Sequence, residues 1–559
     1  MSWIDTYQTW LEKADSKTIG EMKKMTDKEK EECFAVELAF GTGGMRGILG
    51  AGINRMNVYT VRKATYGFAK YLERFNAKDR GVVIAHDNRH MSKEFALETA
   101  KVFASMGFKA YLFENLRPTP ELSFGVRFMH AIAGVMITAS HNPKEYNGYK
   151  IYDEDGCQLT PDKADLVIDE IGKIEDVFAI ESDKNPELIE ILGKNVDQEY
   201  IKLVDTVTIN PDLKKNFKVV YTPLHGTGSV FVADVLKNNG FNVTPVASQM
   251  VNDPNFSATK NANPEEQLAF EEAIKLGEKI DATLLLATDP DADRVGIAVK
   301  HGGEYILLNG NQTGAIMLNY ILTQRKKNGT LPQNGYVFTT NVSSPLGLEI
   351  AHKYGLNTKV LLTGFKFIGE QAKILEKTDG EYVFGSEESY GYLIKDFVRD
   401  KDSVQASLLI CEICAYYNEK GMTLVDALEE IYQEYGYYSE SLKNIHLKGL
   451  DGAKKIKDVM NYFRTNELNI DFDKLVAKED NLLKKRFENG NESLIDLPKS
   501  NVIKYQFSDS SWFVLRPSGT EPKLKIYFGV KGNNHLDSEL KMKTLRAKVI
   551  ELIEGVIEC

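Results

Sequence analysis

Hydrophobic and polar positions change their period several times along the chain, and each change marks a new element. The first stretch, to about residue 45, spaces its apolar residues as a helix does around a charged middle, KKMTDKEKEE, and predicts helices with a solvated face. From Val58 onward the pattern alternates through VRKATYGFAKYLERF, GVVIAHD, EFALETAKVFASMG, KAYLFEN and AIAGVMITA. Helical segments interleaved with short apolar runs predict α/β order. The same layout, a strand running into a Gly/Ser/Pro turn, then a helix, then a second strand, returns twice. It is found at NFKVVYTPLHGTGSVFVADVLKNNGFNVTPV and at NGYVFTTNVSSPLGLEIAHKYGLNTKVLLTG. Three tandem α/β units are therefore expected, alike in layout rather than in residue identity. The tail holds a lysine- and glutamate-rich segment read as a helix, KEDNLLKKRFENGNES, and the short strands VIKYQF, WFVLRP and LKIYFGV. These predict a smaller C-terminal α+β domain. Boundaries fall near 200 and 308, where DQEYIKLVDT and LLNGNQTGAIML open helices, and near 440, where YSESLKNIHLKG ends the third unit. The expected domains are 1–200, 201–308, 309–440 and 441–559.

Composition narrows the function classes. At 43% hydrophobic and 27% charged residues over 559 positions, the chain has ordinary globular make-up and is long enough to bury several cores. A formal net charge of −11 repels nucleic acid and anionic membrane surfaces, so a small-molecule partner is expected. Five cysteines are too few for a disulfide framework, and Cys411 and Cys414 lie in the apolar helical run SLLICEICAYY, where core packing explains them. MSWIDTYQTWLEKADSK lacks the apolar core of a signal peptide, and no run approaches the roughly 20 apolar residues of a membrane span. The cytoplasm is the expected compartment; the oligomeric state stays open.

The candidate chemistry sits at strand ends. Thr138-Ala139-Ser140-His141-Asn142-Pro143 follows the apolar run AGVMI, and ligands of open α/β sheets bind at such carboxyl ends. A serine hydroxyl there can take and give a phosphoryl group if cations disperse charge and a base removes its proton, with His141 and Lys150 near in sequence. On its own the tetrapeptide reads more simply as a turn before proline. Asp289-Pro290-Asp291-Ala292-Asp293-Arg294 ends the run ATLLLAT. Three carboxylates at alternate positions repel each other by roughly 1 to 4 kcal/mol per close pair, a cost that a hard divalent cation, Mg²⁺ or Ca²⁺, relieves. An EF-hand is excluded, because Arg294 and Lys300 stand where glycine and glutamate are needed. Arg516-Pro517-Ser518-Gly519-Thr520 offers a phosphate cradle between two strands. Gly41-Thr42-Gly43-Gly44-Met45-Arg46-Gly47 is a glycine-rich loop without the ending of a P-loop, and Gly385-Ser386-Glu387-Glu388-Ser389 supplies donors and acceptors suited to sugar hydroxyls.

Together and in this order, these segments resemble the α-D-phosphohexomutase superfamily, the phosphoglucomutases and phosphomannomutases, over nearly the whole chain. Asn309-Gly310-Asn311-Gln312, Asn263-Pro264-Glu265 and Thr363-Gly364-Phe365-Lys366 also look like family segments. The resemblance implies four domains, the first three with mixed sheets, around a central cleft. It implies that Ser140 is the phosphoserine and completes a Mg²⁺ site with Asp289, Asp291 and Asp293. Arg294 would lie beside them, Arg46 and Lys150 would contact the phosphoserine and the reacting hydroxyl, and Thr363, Gly364 and Lys366 would belong to the substrate loop. Glu387 and Ser389 would grip the sugar, and Arg516, Ser518, Gly519 and Thr520 would hold the phosphate that is not transferred. Where bacterial relatives often follow E-x-S-G with a histidine, this chain has Tyr390 and Gly391. Arg399-Asp400-Lys401-Asp402 is similar to the R-E-K-D segment of the phosphoglucomutase branch, which makes Lys401 the candidate for proton transfer. The strings GTGGMRG and TGFKFI look most like the branch of Gram-positive α-phosphoglucomutases and phosphopentomutase-type enzymes. The implied reaction interconverts glucose 1-phosphate and glucose 6-phosphate, with glucose 1,6-bisphosphate as intermediate and activator. A phosphopentomutase, a phosphomannomutase, a phosphatase and a noncatalytic paralogue are the alternatives.

Overall fold

The computed structural model describes residues 2–41, 44–447, 449–518 and 522–558, which build four β-sheets in chain order. The first is mixed: Phe40–Gly41, Gly44–Ile48, Tyr146–Asp153 and Ala133–Ile137 pair antiparallel, and Ala133–Ile137, Val82–His86, Ala110–Phe113 and Ile189–Leu192 continue it parallel. The second runs Glu304–Leu308, Val295–His301, Leu284–Thr288, Lys218–Thr222, Asn242–Pro245, and the third Asn357–Leu361, Gly335–Thr340, Glu381–Glu387, Gly391–Leu393. Both mix parallel and antiparallel pairs. The fourth sheet is antiparallel throughout and carries the helices Gly449–Thr465 and His535–Glu558. The fold is three α/β units with mixed sheets and a C-terminal α+β unit. Among the described residues, no helix is long and apolar enough to cross a membrane.

The central strands Val82–His86, Ala133–Ile137 and Leu284–Thr288 are buried at every position, because helices cover both sheet faces. In each α/β unit the expected strand, helix and strand give a parallel pair: Val82–His86 with Ala110–Phe113, Lys218–Thr222 with Asn242–Pro245, and Gly335–Thr340 with Asn357–Leu361. The helix Ser403–Glu419 buries Cys411 and Cys414 in the largest core, and both are free thiols.

Four local features depart from the sequence reading. The helical reading of the first 45 residues ends early, since Phe40–Gly41 and Gly44–Ile48 are strands. The helix Thr119–Phe128 was not foreseen; Pro118 and Pro120 disguise its start, yet proline suits the first turn, where no N–H partner is lost. KEDNLLKKRFENGNES is no helix: its residues belong to Leu475–Asp480, Lys485–Glu488 and Asn491–Leu494. Asn489 and Gly490 have φ of 49° and 83°, the two-residue hairpin turn that Asn-Gly favours, and this signal overrides the helix propensity of lysine and glutamate. Tyr437–His446, which was read as closing the third unit, is an edge strand of the fourth sheet, paired along its length with Lys523–Gly532.

Gly148 shows how tightly the strands that carry the candidate site are drawn together. A Cβ at this position would lie 2.5 Å from the Thr138 carbonyl oxygen and 2.9 Å from that of Met45, both backbone atoms. Gly148→Ala is therefore expected to destabilise the protein by about 1–3 kcal/mol through forced backbone shifts, read as a lower urea midpoint at unchanged slope.

Candidate functional site

Ser140 stands three residues past the strand Ala133–Ile137 with φ 51°, a strained conformation for a residue bearing a Cβ. Ala292 and Tyr390, with φ of 52° and 64°, show the same strain in the acidic loop and the Glu387 loop. The Ser140 loop is held from below by Arg89. Its guanidinium donates to the carbonyls of Ser140 (2.5 Å), Pro143 (2.8 Å), Tyr146 (3.0 Å) and Asn142. The Ser140 amide donates to Thr138 Oγ1 at 2.8 Å. With its backbone so fixed, Ser140 Oγ donates to Asp289 Oδ2 at 2.8 Å and lies 3.2 Å from His141 Nδ1. Burial, helped by the nearby Arg294 and Arg46 charges, holds the His141 imidazole well below its usual pKa, so the ring is neutral. Arg46, on the exposed side of its strand, reaches the same loop by donating to Asn142 Oδ1 at 2.9 Å.

Asp289, Asp291 and Asp293 are buried, and their ligand atoms lie within 4.8 Å of one another. The amides of Asp293 and Arg294 both donate to Asp289 Oδ1 at 3.1 Å, which curls the loop around the carboxylates. Asp291 Oδ2 accepts from Lys150 Nζ (2.8 Å) and from Thr119 Oγ1 (2.9 Å). Asp293 Oδ2 faces Lys401 Nζ at 3.0 Å. Burial and the repulsion of Asp291 and Asp293 push the Asp289 carboxyl well above the usual carboxylate range. Burial acts upward on Asp291 as well, but Lys150 outweighs it and Asp291 falls below that range. Asp291 Oδ1 and Asp293 Oδ1 are buried without a hydrogen-bond partner. Orphaned carboxylate oxygens converging with a serine hydroxyl fit a hard, oxygen-loving divalent cation.

Cations ring this centre. Burial would discharge Lys150 and Lys401, yet Asp291 and Asp293 beside the first, and Asp293 and Asp400 beside the second, outweigh it and keep both as ammonium ions. Arg294 donates to Glu265 Oε1 at 2.6 Å and lies 3.7 Å from Asp293. A bridge between Arg294 and Gly391, with Val295 N donating to the Tyr390 carbonyl at 3.1 Å, ties the acidic loop to the Glu387 loop.

Glu387 is buried at the end of Glu381–Glu387, and its Oε1 accepts from the Gly364 amide at 2.7 Å. Gly364 has φ 121°, a conformation open to glycine, and Thr363 Oγ1 beside it is buried without a partner. The Glu387 charge also reaches Lys401 and Arg294. Burial lowers the Lys366 ammonium to about 8, and the Arg516 charge adds to the shift. Arg516 pairs across the sheet with Lys525, and the Ser518 amide donates to the Lys523 carbonyl at 2.8 Å. Ser389 is half-buried in the turn after Glu387. Gly519 and Thr520 lie outside the described residues.

The predicted residues thus fall into one network of Ser140, His141, Lys150, the three aspartates, Arg294 and Lys401, with Glu387, Gly364, Lys366 and Arg516 following on. Sequence reasoning missed Arg89, Thr119, Tyr152 and Asp400. Arg89 carried a usable signal, since the charged run HDNRH ends a buried strand just as the Ser140 loop does.

Comparison with known proteins agrees with the domain order. Four family profiles match in order: phosphoglucomutase/phosphomannomutase α/β/α domain I at residues 37–177, domain II at 198–303, domain III at 309–435, and the C-terminal domain at 465–546. The phosphoglucomutase of Staphylococcus aureus strain MRSA252 is 40% identical over 535 residues, covering 94% of this chain and 95% of that protein. That of strain MSSA476 is 40% identical over 549 residues, covering 96% and 98%. Among solved structures, a phosphoglucomutase/phosphomannomutase family protein of Burkholderia thailandensis superposes with TM-score 0.67 at 16% identity, covering 91% of this chain and 96% of that one. Paramecium parafusin in its open form superposes with TM-score 0.66 at 18% identity, covering 94% and 95%. These two likenesses speak for the fold. With its acidic loop, serine loop and four matched domains in one order, the chain belongs to the phosphoglucomutase/phosphomannomutase family, the α-D-phosphohexomutases.

Proposed function

We propose that this protein interconverts α-D-glucose 1-phosphate and glucose 6-phosphate through phospho-Ser140 and a glucose 1,6-bisphosphate intermediate. The observation that carries the reading is the 2.8 Å hydrogen bond from Ser140 Oγ to Asp289, which sets the hydroxyl among three buried carboxylates in a chain 40% identical to phosphoglucomutases. Asp289, Asp291 and Asp293, with the phosphorylated Ser140, would hold Mg²⁺, a choice favoured by the all-oxygen donor set. When bound, that cation supplies neutralising charge for the phosphoryl oxygens.

The chain's own residues do the rest. A sugar hydroxyl attacks phosphorus, the bond to Ser140 Oγ breaks, and the bisphosphate turns over in the cleft. Ser140 Oγ then attacks the second phosphoryl group and the sugar oxygen leaves. Lys401, held as an ammonium ion, gives that oxygen its proton while Ser140 Oγ releases its own to solvent; in the first transfer the Lys401 amine, having shed a proton to solvent, takes that of the attacking hydroxyl, and Ser140 Oγ leaves with a proton from solvent. Arg46, His141, Lys150 and Arg294 orient and shield the phosphoserine. Glu387 and Ser389 bind sugar hydroxyls beside Thr363 and Gly364. Arg516, Ser518, Gly519 and Thr520, with Lys366, grip the other phosphate, whose charge would oppose the lowering of Lys366. The domains are proposed as 1–200, 201–308, 309–440 and 441–559, with the start of the last drawn back to Tyr437 by the strand that pairs with Lys523–Gly532, and the compartment as the cytoplasm, in keeping with four free, buried cysteines among the described residues.

Parallel assays test the substrate. Glucose, mannose, ribose and deoxyribose 1-phosphates are supplied with Mg²⁺ and the matching bisphosphate, and isomer and free phosphate are both measured. Glucose 1-phosphate is expected to give the highest kcat/KM, with isomer rather than phosphate as product. A pentose or mannose preference would overturn the sugar assignment, and steady phosphate release would overturn the mutase reading.

A further inference from the structure

The segment from Arg399 to Ser403 acts as a keystone between the three α/β units. The Arg399 amide donates to Ser123 Oγ at 2.8 Å, and the Arg399 guanidinium shares Glu376 with Arg127. Tyr200 donates to Asp402 at 2.9 Å, and Ser403 Oγ donates to the Ala292 carbonyl in the acidic loop at 2.5 Å. In the middle, Asp400 divides its two oxygens. Oδ2 accepts from the Tyr152 hydroxyl at 2.9 Å, while Oδ1 accepts from both the backbone amide of Lys401 (2.8 Å) and its ammonium group (3.0 Å). Lys401 Nζ thereby stands 3.0 Å from Asp293 Oδ2.

Tyr152 is fully buried on Tyr146–Asp153, two residues beyond Lys150 and so on the same face of that strand. One strand of the first sheet therefore supplies both the cation on Asp291 and the hydroxyl that aims Asp400. A carboxylate anchored at one oxygen cannot swing the other away. A lysine side chain, flexible along its four-carbon stem, needs such a fixed acceptor to keep its charge in one place.

We infer that Tyr152 is a positioning residue for proton transfer: by anchoring Asp400, it fixes Lys401 Nζ beside Asp293. The inference rests on the role given to Lys401 above. The part given to Tyr152 rests on the geometry of two hydrogen bonds and one ion pair.

Tyr152→Phe removes one oxygen and leaves the ring. The expected result is a kcat lowered by about 10- to 100-fold, the scale on which small misplacements act, with KM for the sugar phosphate changed less than twofold. Rates are expressed per folded, Ser140-phosphorylatable molecule, so that lost protein does not count as lost rate. Asp400→Asn, which can still accept from Tyr152 but carries no charge toward Lys401, is expected to show the same split, and it carries the test if Tyr152→Phe fails to fold. An unchanged kcat in a variant whose melting temperature alone falls, or kcat and KM moving by the same factor, would overturn the inference. Wild-type protein separates the two readings. No turnover in wild type overturns the proposed function, whereas normal wild-type turnover with unchanged kcat in the variants overturns the role of Tyr152 alone.

Discussion

Ser140→Ala is expected to abolish isomerisation, with kcat falling by about 10⁴-fold or more, the scale on which removing a covalent nucleophile acts. The loss should be one of chemistry and not of folding. The loop conformation is set by Arg89 on the carbonyls of Ser140, Asn142, Pro143 and Tyr146, none of which the substitution touches. Only the side-chain bonds to Asp289 and His141 disappear. Sugar-phosphate binding, which the proposed function gives to Glu387, Lys366 and Arg516, should persist in the variant. Intact mass of the wild-type protein after exposure to glucose 1,6-bisphosphate should show one added phosphoryl group, and that of the variant none. A variant that keeps more than about one per cent of wild-type kcat, where loss of the nucleophile should leave far less, would assign the phosphoryl carrier to another residue.

The parts of this molecule that were legible in sequence are those written locally. AGVMI and ATLLLAT announce fully buried strands, and each is followed at once by a loop of candidate chemistry, so the position of Ser140 and the three aspartates at strand ends is legible in the sequence. The helix at Thr119–Phe128 escaped because its prolines look like breakers until their position in the first turn is known. The hairpin at Lys485–Leu494 escaped because its charged residues have helix propensity while its instruction lies in two residues, Asn489 and Gly490. Positions that act across the fold left no local trace. Thr119 meets Asp291 from 172 residues away, and Tyr152 meets Asp400 from 248. Their importance comes from burial beside a charge, which no short window of sequence contains. Arg516 is legible by composition, but that its charge reaches Lys366 is a product of how the fourth unit docks.

Chelation and Asp289→Asn should give the second large effect, and they separate the cation's role from the packing role of the carboxylates. Treating the purified protein with EDTA is expected to remove turnover, and added Mg²⁺ to restore it, with Ca²⁺ a poor substitute because its larger, more flexible coordination holds the phosphoryl oxygens less firmly. Asp289→Asn should cost more than the roughly 10- to 100-fold typical of losing an outer-shell partner of a metal ligand. Its effect on stability should be small, for a physical reason. Burial and the two neighbouring aspartates already disfavour the charge on Asp289, while the amides of Asp293 and Arg294 that it accepts can equally be accepted by an asparagine oxygen. Asp291 differs, since it holds Lys150 at 2.8 Å, and neutralising it would leave a buried ammonium group without its nearest carboxylate. The informative measurement is the melting temperature with and without Mg²⁺. Wild type should gain stability as Mg²⁺ rises above its dissociation constant, because the ion binds the folded state alone. Asp289→Asn should start near the wild-type, metal-free value and gain little. A variant that kept the full Mg²⁺-dependent rise would place the cation elsewhere, and one that melted far below metal-free wild type would show the carboxylate to be a structural group first.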